Sequence, residues 1–85
     1  MAVQIKTMEQ LKKESANGAD FFILLGNTGV LKSSKWILWD SEERIFFVRN
    51  LIDDSEQELS EKQMMNRDFT NIGYAMTKGA LFLSG

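Results

Sequence analysis

Lys32 and Ser33 follow an apolar run and the glycines Gly26 and Gly29, in a stretch that reads DFFILLGNTGVLKSSKWILWD over residues 20–40. Strand, glycines, lysine and hydroxyl in that order are what a phosphate-binding loop requires. That chemistry also needs a glycine directly before the lysine, so that the backbone wraps the phosphates, and a helix start behind it. Here Leu31 precedes Lys32 and an extended segment follows. The glycines are therefore read as an ordinary turn between two strands.

The acidic run DDSEQELSE, residues 53–61, holds Asp53, Asp54, Glu56, Glu58 and Glu61 with no base among them. A calcium loop needs glycine at its sixth position and a bidentate glutamate at its twelfth. Counted from Asp53 these positions carry Glu58 and Met64. The run is read as a solvated turn, with Glu61 placed where a carboxylate complements a helix N-terminus. A second use for such a run is to mimic the phosphates of DNA on a nucleic-acid-binding protein. Five acids in a chain of net charge -2 support that thinly.

Trp36 and Trp39 with Lys32 and Lys35 are the residue types of a single-stranded nucleic-acid platform, in which bases stack on indoles and lysines follow phosphates. Strand alternation divides the group. Trp36 falls on one face with Lys32 and Ser34, while Trp39 falls on the other with Ser33, Lys35 and Ile37. One indole then belongs to the core and the other is covered by a helix or met by a partner.

The remaining inventory is poor in catalytic groups. Histidine and cysteine are absent, which removes the usual neutral-pH general base, thiolate chemistry, disulfides and the commonest soft metal ligands. Twelve acids are present, yet Asp40, Glu42, Glu43, Asp53 and Asp54 fall in expected turns, where they do not converge on a pocket. No catalytic residue, cofactor or metal is expected. No apolar segment approaches the ~20 residues that span a bilayer, and the N-terminus lacks a signal-peptide core, so a soluble, cytoplasmic protein is expected.

The elements that must position these residues follow from pattern. Thr7 with Gln10 reads as a capping box opening a helix at Met8, and Asn17-Gly18 ends it. Val3 and Ile5 before it suit a short edge strand. Residues 21–25, 30–39 and 45–48 are extended, with residues 32–35 polar on both faces and residues 36–39 apolar on both. Residues 57–59 add a further edge strand. Ser60 with Gln63 opens a helix of about two turns, Thr70 or Asn71 caps a third over residues 72–78, and residues 80–83 end the chain as a strand.

The succession FFILL, glycine turn, SSKWILWD, FFVRNLIDDSEQELSE and TNIGYAMTKGAL resembles small uncharacterised proteins of bacteriophages and prophages of Gram-positive bacteria, over residues 18–83. The resemblance implies a phage or mobile-element origin and supplies no activity, cofactor or site residue.

The expected fold is one α+β domain over residues 1–85: an antiparallel meander of three to five strands, with two or three short helices packed mainly on one face. Because the main strands are apolar on both faces, that sheet needs cover twice, and three short helices can supply it once. The second face is expected to meet a host protein or another copy in a homodimer, with Trp36, Trp39, Lys32, Lys35, Asp53, Asp54, Glu56 and Glu58 as candidate contacts. Nucleic acid and membrane are not expected partners. The alternative is a monomer in which the termini and residues 51–59 fold over that face.

Overall fold

The computed structural model describes residues 2–24 and 31–84, without the side chains of Leu31 and Lys32. The turn over residues 26–29 and the flanking Leu25 and Val30 lie outside the described residues, as does the Lys32 side chain. The described residues form β1 (Val3–Ile5), α1 (Met8–Glu14), β2 (Ala19–Leu24), β3 (Leu31–Asp40), β4 (Ile45–Asn50), β5 (Glu56–Ser60), α2 (Glu61–Met65), α3 (Ile72–Thr77) and β6 (Leu81–Leu83). All six strands belong to one antiparallel sheet in the order β1-β6-β2-β3-β4-β5.

The expected three to five strands understate this sheet. β1 and β6 have three residues each, too few to persist alone, and they form because Val3–Ile5 pairs with Leu81–Leu83, which in turn pairs with Phe21–Ile23 of β2. Pairing across such sequence separation is a tertiary matter. β1 and β2 consequently run parallel with β6 between them, and parallel strands need a crossover, which α1 provides.

Helix boundaries follow local chemistry. Thr7 Oγ1 accepts from the Gln10 N–H at 3.1 Å, and the Gln10 side chain reaches back to the Lys6 N–H at 3.0 Å, one residue beyond the expected box. Ser60 and Gln63 complete a full capping box on α2. At α3 the Asn71 side chain makes no cap bond, and Thr70 Oγ1 accepts from the Ile72 N–H at 3.3 Å instead. Gly18 and Gly79 take left-handed backbone after α1 and α3, with φ of 81° and 70°.

The core lies between one sheet face and the helices. Ile5, Leu81, Phe21, Ile23, Ile37, Trp39, Phe46, Val48 and Leu59 come from the sheet, and Leu11, Met64, Ile72, Ala75 and Met76 from the helices. β3 outlasts β2, whose pairing ends at Ala19 opposite Ile37. The N–H of Trp39 beyond that point donates to the Ser15 carbonyl at 2.8 Å, so a strand donor and a helix-end acceptor satisfy each other. The polarity of residues 32–35 on both faces suggests a half-strand that projects or lies at an edge, but residues 33–35 lie within the sheet. They pair with Ile23, Phe22 and Phe21 on one side, and on the other Lys35 pairs with Asn50 and the Ser34 carbonyl accepts from the Leu51 N–H at 2.9 Å.

α2 and α3 touch through Gly73, where an added Cβ would stand 2.6 Å from Met65 Cα and 2.7 Å from the Met64 carbonyl oxygen. Backbone cannot yield as a side-chain tip does. Gly73→Ala is expected to destabilise by about 1–2 kcal/mol net, the overpacking loss exceeding alanine's helix-propensity gain of about 1 kcal/mol. Urea unfolding checks this, and an equal or higher midpoint would contradict it.

Candidate functional site

Register places a second set of side chains on the face opposite the core. Phe22 stands between Phe82 and Ser34, Trp36 between Asp20 and Arg49, Leu38 opposite Phe47, and Ile45 opposite Asp40. On β5, Glu58 stands opposite Phe47 and Glu56 opposite Arg49. The apolar members of this set are part-exposed, and no described helix lies over them. The segments that could have folded across do something else. The termini form β1 and β6, and residues 51–59 form the β4–β5 turn and most of β5.

The strip is internally packed. Phe22 and Phe82 stack with centroids 5.3 Å apart and planes 16° from parallel. The Trp36 indole lies on the backbone of Gly18, where a Cβ would come within 2.5 Å of Cζ2, so only glycine admits the ring there. Arg49 stands 5.7 Å from the Trp36 ring centroid and holds Glu56 through two nitrogens at 3.0 and 2.9 Å. Between Trp36, Leu38, Phe47, Arg49, Glu56 and Glu58 runs a groove of about 520 Å³.

The residues singled out from sequence are distributed rather than gathered. Trp36 is on the helix-free face, while Trp39 is a core residue 8% exposed, packed on Phe46 at 4.5 Å between centroids. Lys35 alternates onto the core side, opposite Phe21 and Asn50, where partial burial pulls its ammonium below the usual lysine range and nearby Asp53 partly opposes the shift. Lys35 and Trp36 therefore cannot share a stacking platform. Asp53 and Asp54 sit exposed in the β4–β5 turn, Asp54 with φ of 62°. The Ser55 hydroxyl and N–H donate to Asp53 at 2.7 and 2.9 Å and hold its carboxyl below the ordinary range. Glu56 and Glu58 join Trp36 on the helix-free face.

The acidic run does not remain one patch. Glu56 is paired with Arg49, and Glu61, at the start of α2, accepts from Lys12 Nζ and from Arg44, both at 2.7 Å. Lys12 and Arg44 also stand 5.0 and 5.9 Å from the Trp39 ring, so this trio seals one end of the core. Among the described residues, no three acidic side chains are grouped so as to hold a metal ion. Phe22, Phe47 and Phe82 complete the helix-free strip and were not singled out from sequence. Alternation alone marks the first two, but Phe82 joins only through the pairing of β6 with β2.

Two expectations follow. Hydrogen bonding from Lys12, reinforced by the charges of Lys12 and Arg44, depresses the Glu61 carboxyl below its unfolded value. Its stabilising contribution is therefore present above the ordinary glutamate range, near ~4.3, and fades as pH falls through the lower folded value. The thermal midpoint of Glu61→Gln should lie below that of the parent chain at neutral pH and converge with it in acid, and a gap unchanged by pH would contradict the assignment. Trp39→Ala should cost about 3–5 kcal/mol in urea unfolding, against under about 2 kcal/mol for the part-exposed Trp36→Ala. Acrylamide should quench the indole left by Trp39→Phe more readily than that left by Trp36→Phe; the reverse order would exchange the two faces.

Compared with protein-family models, curated proteins and solved structures, the chain shows no match in any of the three.

Proposed function

We propose that the chain is a non-catalytic protein-interaction module whose binding surface is the helix-free sheet face. One observation carries this reading: α1, α2 and α3 all pack on the same side, while Phe22, Trp36, Leu38, Phe47 and Phe82 form an apolar strip that no described element covers. Large aromatic side chains at the centre of such a strip are what interface anchors are made of. A sheet interior to one domain would bury both faces, and among the described residues no helix lies over this one.

The setting belongs to the same proposal. The resemblance of the strand and helix segments to phage and prophage proteins supports a mobile-element protein that acts in the host cytoplasm and modulates a host protein. Among the described residues no helix is long and apolar enough to cross a membrane. The absence of histidine and cysteine from the sequence supports a role in binding rather than catalysis. A host protein or a second copy of the chain would meet the same strip.

Leu38→Lys places a charge at the centre of the strip without touching the core, whereas Lys13→Glu alters the exposed side of α1. Capture from lysate of a Gram-positive host should give a binder retained by the parent chain and by Lys13→Glu. Leu38→Lys should lose it by about tenfold or more, as a buried unpaired charge in an interface does. Equal capture by Leu38→Lys, with its fold verified by circular dichroism, would remove the proposal.

A further inference from the structure

We infer that the occupant of the helix-free face is a basic amphipathic helix of another protein, an apolar stripe flanked by lysine or arginine, rather than a second copy of this chain. The inference rests on the interface reading above and adds the chemistry of the partner. Its first support is charge. Asp20 stands beside Trp36 on β2, Asp40 beside Ile45 at the end of β3, and Glu56 and Glu58 line the β5 side. Among the described side chains, four carboxylates thus border the apolar strip against the guanidinium of Arg49, which is already shared between Glu56 and Trp36.

That border decides between the two occupants. A twofold dimer through this face would set the same surplus of carboxylates against itself, and like charges brought together at an interface cost several kcal/mol. A partner carrying cations on both sides of an apolar stripe meets carboxylates at Asp20 and Asp40 on one hand and Glu58 on the other. Glu58 has no salt-bridge partner among the described side chains and lies in the wall of the groove whose floor is Trp36, Leu38 and Phe47.

The second support is shape. The opposite face of the same sheet is covered by short helices that contribute Leu11, Met64, Ile72, Ala75 and Met76. The free strip runs diagonally from Phe82 on β6 to Phe47 on β4, three strand spacings or ~14 Å across at ~4.8 Å each and, from the level of Ser34 to that of Leu38, ~13 Å along at ~3.3 Å per residue, about 20 Å in all. At ~1.5 Å per residue a helix of about thirteen residues spans it, with apolar residues recurring at the three- and four-residue spacing of one helical face. A helix laid there repeats on the bare face what α1 to α3 do on the other.

The test uses two synthetic helical peptides without tryptophan. They share one leucine stripe, and it is flanked by lysine in one and by glutamate in the other. Each is titrated into the full chain while Trp36 emission is followed, and sedimentation measures the oligomeric state in parallel. The lysine-flanked peptide should bind at least about tenfold more tightly at low salt, with affinity falling as salt rises, and the chain alone should sediment as a monomer. Replacing Asp20 and Glu58 together by lysine should reverse the preference, and Leu38→Lys should abolish binding of both peptides. Equal affinities, a preference for the glutamate-flanked peptide, or a dimer that shields Trp36 from acrylamide would overturn the basic-helix assignment and leave the interface reading standing. A monomer whose Trp36 emission neither peptide shifts would overturn both.

Discussion

The register of β3 is the constraint on which the rest of this structure depends. The strand pairs with β2 through its first half and with β4 through its second, and only residues 35–37 are paired on both sides at once. That overlap fixes which way every side chain of the sheet's centre points. A slip of one residue would carry Trp39 out of the core and Trp36 into it, and would take Ile37 and Leu38 with them. Several unrelated contacts hold against such a slip. Trp39 donates to Ser15, its ring lies against Phe46 between Lys12 and Arg44, and Trp36 rests on the one backbone position, Gly18, that has no Cβ.

The uneven treatment of the two faces follows from connectivity. The chain leaves β5 at one side of the sheet and must reach β6 near the other, and α2 and α3 make that passage on the core side. α1 links β1 to β2 past β6 on the same side. With every helix used in this way, the other face keeps only what its own side chains do for one another: a stacked phenylalanine pair, an arginine over an indole, and an ion pair. Such contacts shield apolar surface partially, where helices remove it from water. The polar groups are divided in the same sense. Glu61 of the acidic run closes an end of the core, while Glu56 and Glu58 border the open strip.

Much of this was legible locally. The helix starts at Met8 and Glu61 follow from Thr7 and Ser60, because a cap is satisfied within three or four residues of itself. The opposition of Trp36 and Trp39 follows from the two-residue period of a strand and needs no knowledge of neighbours. The same period separates Lys35 from Trp36, and the acids of residues 53–61 part because Asp53 and Asp54 stay in the β4–β5 turn, Glu56 and Glu58 share the helix-free face of β5, and Glu61 opens α2.

By itself, then, the sequence determined the elements, the two-sided apolar character of the central strands, the lack of histidine and cysteine chemistry, and the separation of the two indoles. Each of these is a property of residue type or of a repeat no longer than a helical turn. Tertiary structure alone decided where β1 and β6 pair, since three-residue segments persist only when paired, and that Phe82 thereby joins Phe22 on the free face. It alone decided that Trp39 is the buried indole and Trp36 the available one. Period two divides a strand into faces, but which face is the core depends on where α1, α2 and α3 come to rest, and that is set by contacts between residues far apart in the chain.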